Sequence, residues 1–131
     1  MRTGSIGNRN AEEMIRTLVE PKKRVVSSIR TKLLAMNLVE DVEFDSINIE
    51  PVMIYSLRDE RWVFVKHKWE VVALVRLDSE DERKPQLLST IQDGKGLLER
   101  NEIDGTLWAK FSLPDGEGPA LRVLEQLIAA H

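Results

Sequence analysis

Side chains that commonly carry catalysis are few and scattered in this sequence. The chain of 131 residues has two histidines, His67 and His131, and no cysteine. A serine nucleophile needs a neighbouring base, and no serine here lies in a Gly-x-Ser-x-Gly context. We therefore predict no catalytic residue and favour a non-enzymatic protein. An enzyme that uses carboxylates such as Glu50 or Asp104 is an open alternative without a supporting motif.

Metal and cofactor sites are not indicated either. The acidic run Asp78–Glu82 would need glycine at the sixth position and glutamate at the twelfth to form a calcium loop of the EF-hand type. Those positions hold Arg83 and Ser89. The segment Gly94–Gly96 lacks the earlier glycine and the following Ser or Thr of a phosphate-binding loop. The sequence therefore predicts neither a metal nor a cofactor.

Aromatic side chains on predicted strands are the first candidate binding residues. An aromatic sheet face can stack on unpaired bases while a nearby cation contacts phosphate. The same rings are also the side chains that bury the most area in a core, so both interpretations stay open. The candidates are four rings and one cation on one predicted face: Tyr55, Trp62, Phe64, Trp69 and Lys66.

Three consecutive bases, Lys22, Lys23 and Arg24, are the second candidate binding group. Residues 1–35 hold eight bases against three acids, whereas residues 36–131 hold the other 11 of 19 bases and 19 of 22 acids. Such asymmetry is found in nucleic-acid-binding arms. It also describes a basic helical part beside an acidic sheet, and the net charge of −3 is unlike that of most nucleic-acid-binding domains.

The elements that would hold these residues are mainly strands. The apolar runs Val52–Leu57, Arg61–His67 and Trp69–Leu77 are rich in branched and aromatic residues and predict an antiparallel meander. The alternating run Val42–Ile49 predicts a strand before them. Pro51 cannot donate a ladder hydrogen bond, so we expect a bulge or break there.

The faces of the meander follow from its connections. We assume that Leu57 lies opposite Trp62 and Val65 opposite Glu70. Both connections then contain an even number of residues, and each side chain is assigned to one of two faces of the sheet. One face would then hold the aromatic set, and the other would be aliphatic. The predicted aliphatic face comprises Val52, Ile54, Ser56, Val63, Val65, Val72 and Leu74.

Helices are predicted both before and after the strands in the order of the sequence. A helix begins at Asn10, and either a second helix begins at Pro21 or the first continues with a bend there, ending near Asn37. A short helix begins at Pro85. The segment Leu97–Ile103 is ambiguous. A last strand, Thr106–Leu113, is expected near a sheet edge, and the closing helix begins at Pro119 and buries Leu121, Leu124, Leu127 and Ile128.

This order predicts an α+β fold, an antiparallel β-meander sheet packed by N-terminal helices and a C-terminal helix. Residues 1–9 are expected to form a flexible tail and residues 10–131 a single domain. No run approaches the ~20 apolar residues of a membrane span, and cysteine is absent. We therefore expect a cytoplasmic protein with no membrane partner.

The end of the chain resembles the MmcQ/YjbR-like family, whose layout is similar to that of frataxin-like small domains. The resemblance rests on Gly105–Phe111, which includes Trp108, and on Leu124, Leu127 and Ile128 within Gly118–Ala130. It implies a strand with a tryptophan followed by a terminal helix, and a DNA-binding or protein-interaction role. It assigns no catalytic residue.

These observations favour a small interaction module that binds a protein partner or a second copy of itself. A sheet with two apolar faces supports this hypothesis, because one layer of helices covers only one face. The alternative is a nucleic-acid-binding protein that uses the basic N-terminal helix or the aromatic face.

Overall fold

The computed structural model describes residues 7–77, 84–101 and 103–130. The described residues form two compact units, and the division falls between Val71 and Val72. None of the helices in the described residues combines the length and the apolar composition that a membrane span requires. The first unit contains α1 (Gly7–Arg16), α2 (Lys22–Ala35), β1 (Val39–Asp45), β2 (Glu50–Leu57) and β3 (Glu60–Lys66). The second unit contains β4 (Val72–Leu77), α3 (Lys84–Asp93), β5 (Leu97–Arg100), β6 (Leu107–Ser112) and α4 (Glu117–Ala130).

The strands of the first unit form an antiparallel sheet in the order β1, β2, β3. The connection between β2 and β3 consists of two residues, Arg58 and Asp59, which both have positive φ. This is the conformation of the tight hairpin turns whose twist matches that of the strands. The register shifts by one residue between Tyr55 and Ser56, so Trp62 is an extra residue in β3.

The two helices of the first unit bury their apolar stripes. Helix α1 contacts β1, and its Ala11 and Ile15 are buried. Helix α2 buries Val26, Ile29 and Leu33, which recur at the three- and four-residue spacing of one helix face. Burial of this stripe supplies the main driving force that holds α2 in place.

The second unit is an antiparallel sheet in the order β4, β6, β5, with α4 packed on β4 and β6. Phe111 is fully buried, as are Leu124 and Leu127 of α4. Gly96 allows the chain to pass close to this core, because a Cβ there would lie 2.7 Å from Cε1 of Phe111.

The α+β class is confirmed, with an antiparallel sheet and packed helices at both ends of the chain. The predicted third meander strand is β4, which begins at Val72, whereas Trp69 lies in the preceding loop. Helix α1 begins at Gly7, before the predicted start at Asn10, and residues 1–6 of the predicted tail lie outside the described residues. The acidic run Asp78–Glu82 also lies outside them. A single domain stays a prediction.

Two details of the predicted sheet are wrong. Strand β1 ends at Asp45, so Ile47 and Ile49 lie in a turn, where the Asp45 carboxylate accepts hydrogen bonds from the backbone of Ile47 and Asn48. Pro51 causes no break and lies within β2, opposite Phe44. Strand β6 lies next to the edge of its sheet, as predicted, because the ambiguous segment forms the outer strand β5 and pairs with it.

The predicted sorting of faces is also wrong. Tyr55 lies opposite Val63, and Met53 lies opposite Val65, so the rings of the aromatic set do not share a face. The tight turn and the bulge together move β3 by one residue relative to the predicted register. A shift of one residue transfers side chains to the other face.

Candidate binding surfaces of the first unit

A buried polar network identifies the sheet face that the helices cover. Glu40 of β1 accepts two hydrogen bonds from Arg30 of α2, 2.8 Å from Nε and 3.0 Å from Nη2. It accepts a third from the Tyr55 hydroxyl at 2.7 Å. Glu40 and Tyr55 are buried, whereas Arg30 is partly exposed and has Glu12 at 3.7 Å. The network attaches α2 to this face.

Burial controls the protonation of this network. The pKa of Tyr55 is raised, mainly by loss of solvent and then by the Glu40 carboxylate. The hydrogen bonds to Glu40 raise the pKa of Arg30. The Tyr55 hydroxyl therefore stays protonated as a donor, and the network is structural.

The opposite face of the same sheet carries a cleft. Val52 and Ile54 alternate with the helix-facing Met53 and Tyr55, so they point away from α1 and α2. With Phe64, which lies opposite Ile54, they form an apolar floor. The cleft has a volume of about 160 Å³. Its lining comprises Glu43, Phe44, Asp45, Val52, Ile54, Arg61, Phe64 and Lys66.

Charged side chains form the rim of the cleft as ion pairs. Arg61 Nη2 lies 2.6 Å from Glu43, and Lys66 Nζ lies 3.6 Å from Asp45 and 4.0 Å from Glu50. The pKa of Asp45 is lowered, chiefly by the side-chain hydrogen bond from Asn48. Because each cation of the rim is paired with a carboxylate, the rim presents little net charge to an apolar ligand.

The structure separates the predicted aromatic set into three locations. Tyr55 is fully buried against the helices, and Trp62 is also buried. Phe64 and Lys66 lie together in the cleft. Trp69 is in the loop after β3 and is largely exposed. A stacking face made of all four rings is therefore not present.

One hydrogen bond connects the basic group at the start of α2 to the loop that carries Trp69 of the aromatic set. Lys22 Nζ, at the start of α2, donates a hydrogen bond to the carbonyl of Lys68, the residue before Trp69. Lys23 is partly exposed and Arg24 is exposed beside it. The backbone N–H of Arg24 donates to the Glu20 carboxylate at 2.9 Å, which helps to satisfy the first turn of the helix.

His67 is buried, and its Nε2 lies 3.4 Å from Met14 Sδ of α1. Its pKa is lowered by burial and then by Lys22. The described residues contain no group of three or more His, Cys, Asp or Glu side chains that could hold a metal ion.

Sequence reasoning missed Glu40 as a buried partner and Glu43, Asp45 and Arg61 as rim residues. The position of Glu40 in the sequence was a usable signal. Glu40 is two residues from Leu38 and two from Val42, so its side chain lies on the same buried face of the strand as theirs. No comparable signal marks the rim, since charged residues on a strand are usually only solvated.

No protein-family model matches this chain, and no curated protein or solved structure shows significant similarity to it. The resemblance to MmcQ/YjbR-like proteins therefore stays a prediction.

Proposed function

We propose that this chain is a small cytoplasmic, non-enzymatic binding module that receives an apolar side chain of a protein partner in the cleft of its first unit. The observation that carries the proposal is the apolar floor of Val52, Ile54 and Phe64, on the sheet face opposite the helices. A sheet that is covered on one side usually has a polar second face. Here the second face has an apolar floor inside a charged rim.

The size of the cleft supports a side chain as the occupant. A cavity of about 150 Å³ lined by apolar residues holds a benzene molecule. The cleft of about 160 Å³ therefore suits one aromatic ring or one branched aliphatic side chain. The partner can be another protein or a second copy of this chain, and the paired charges of the rim favour a neutral group.

The test is an NMR titration with the N-acetyl amides of phenylalanine, tryptophan, leucine and serine. We expect the three apolar probes to shift the amide signals of Val52, Ile54 and Phe64, and serine to leave them unchanged. Phe64→Ala should abolish the shifts. The control Leu97→Ser, which removes an exposed apolar side chain of the second unit, should keep them. Shifts that are absent, or equal for all four probes, would refute the proposal.

Sedimentation velocity at micromolar concentration distinguishes a second copy from a different partner. If copies bind each other through the cleft, Phe64→Lys should convert a dimer into a folded monomer, as judged by circular dichroism. A wild-type protein that is already monomeric would exclude a second copy as the occupant and leave a different protein as the proposed partner.

The alternative proposal is nucleic-acid binding through Lys22, Lys23 and Arg24. The contact of Lys22 with the loop that carries Trp69 supports it, because it places a cation near an exposed ring. Strong salt dependence of binding to a single-stranded oligonucleotide would favour it.

A further inference from the structure

The ion pair of Arg61 with Glu43 crosses the cleft of the first unit from β3 to β1. Arg61 lies opposite Ser56 of β2, and Glu43 lies opposite Val52 of the same strand. Ile54 is midway between these two positions on β2, so the pair crosses the sheet at the level of Ile54. Both members of the pair line the cleft, so together they form one of its walls.

A second ion pair crosses the sheet on the other side of the cleft. Lys66 lies opposite Val52, and its Nζ is 3.6 Å from the carboxylate of Asp45 at the end of β1. Both of these residues also line the cleft. The apolar floor therefore lies between the side chains of two cations, Arg61 and Lys66.

The guanidinium of Arg61 is held by its edge. Its Nη2 donates to the Glu43 carboxylate at 2.6 Å, and its Nη1 lies 3.5 Å from the other oxygen of that group. A carboxylate bound in this fork lies in the plane of the guanidinium, so it leaves the faces of the plane for stacking. The Arg61 side chain is 52% exposed, so a ligand can reach it. Arg61 is therefore a flat cation that is positioned before a ligand binds.

We propose that the cleft selects an aromatic side chain and that Arg61 is the residue that selects it. This inference rests on the proposed function and narrows the occupant from any apolar side chain to a flat ring. The face of an aromatic ring is negative and attracts a cation within about 6 Å, whereas a saturated group of the same size does not. The ring of Phe64 in the floor adds an aromatic contact that an aliphatic occupant cannot match.

The N-acetyl amides of phenylalanine and cyclohexylalanine distinguish this selection from simple burial. Both probes carry a six-membered ring, but only phenylalanine has a π system, and the saturated ring has the larger apolar area. Burial alone therefore predicts that cyclohexylalanine binds at least as tightly. Selection by Arg61 predicts that phenylalanine binds about threefold more tightly in an NMR titration that follows the amide signals of Val52 and Ile54.

The variant Arg61→Gln removes the charge and keeps a planar group that can donate a hydrogen bond to Glu43. We expect it to abolish the preference for phenylalanine over cyclohexylalanine and to leave the affinity for N-acetyl leucine amide unchanged. The control Arg122→Gln removes an exposed cation from α4 of the second unit and should keep the wild-type preference. Circular dichroism checks that both variants are folded, and the comparison of probes on the wild type depends on neither variant.

Failure of this inference and failure of the proposed function give different results. If no apolar probe shifts the signals of the cleft, the proposed function is wrong and the inference falls with it. If the probes bind but cyclohexylalanine binds the wild type as tightly as phenylalanine does, the cleft stays a binding site and aromatic selection is refuted. If Arg61→Gln keeps the wild-type preference, Arg61 is not the selecting residue and the proposal is overturned.

Discussion

Removing the Tyr55 hydroxyl tests the network that fixes which sheet face the helices cover. Tyr55→Phe deletes one donor and leaves the ring in place. The hydroxyl lies 2.7 Å from Glu40, and both residues are buried. A hydrogen bond to a charged group contributes about 1.5–3 kcal/mol. Because neither group has access to water in the folded state, we expect a loss of about 2 kcal/mol in the free energy of unfolding.

Making Tyr55→Phe in a variant that already lacks the Glu40 carboxylate gives a sharper test of this prediction. Glu40→Met removes every acceptor from the site and keeps an unbranched side chain of similar length. It leaves Arg30 without its bidentate partner, and breaking a buried pair in this way costs about 3–5 kcal/mol. We expect the low end, because Arg30 is partly exposed and retains Glu12. In this background Tyr55→Phe should cost nothing or stabilise, since the hydroxyl then has no acceptor from Glu40.

Urea unfolding followed by circular dichroism measures both steps of the cycle. The matched control is Glu43→Gln, which removes a carboxylate from a partly exposed ion pair with Arg61 and should change stability by less than about 1 kcal/mol. If Tyr55→Phe costs the same with and without Glu40, the hydroxyl and the carboxylate are not coupled and the reasoning fails.

Three further predictions concern pH, the core and the basic residues. Because the pKa of His67 is lowered in the folded state, the free energy of unfolding should fall as pH drops below about 6.5, and His67→Gln should remove that dependence in acid titrations of stability. Leu124→Ala should cost about 2–5 kcal/mol in urea melts, and a loss under about 0.5 kcal/mol would contradict its burial. If Lys22, Lys23 and Arg24 bind duplex DNA, their joint replacement by alanine should reduce the slope of log affinity against log salt by about 0.9 per lost contact, and an unchanged slope would exclude them.

The candidate site was only partly predictable. Phe64 and Lys66 were predicted to bind and do line the cleft, but their predicted companions do not. Tyr55 and Trp62 are buried because a large ring removes the most apolar area from water, and so stabilises the fold most, when it lies in the core. The rim pairs depend on residues that are distant in sequence, such as Arg61 and Glu43, so no local pattern identifies them.

The sequence by itself determined the class of the fold and most of its elements, although not β5 or the end of β1. Runs of branched and aromatic residues form β2, β3 and β4, and the three- and four-residue spacing of apolar side chains forms α2 and α4, because these periods depend on local backbone geometry. Tertiary structure decided the register. The turn at Arg58–Asp59 and the extra residue Trp62 together assign each side chain of β3 to the helices or to the cleft, and a period of two makes that assignment depend on a single residue.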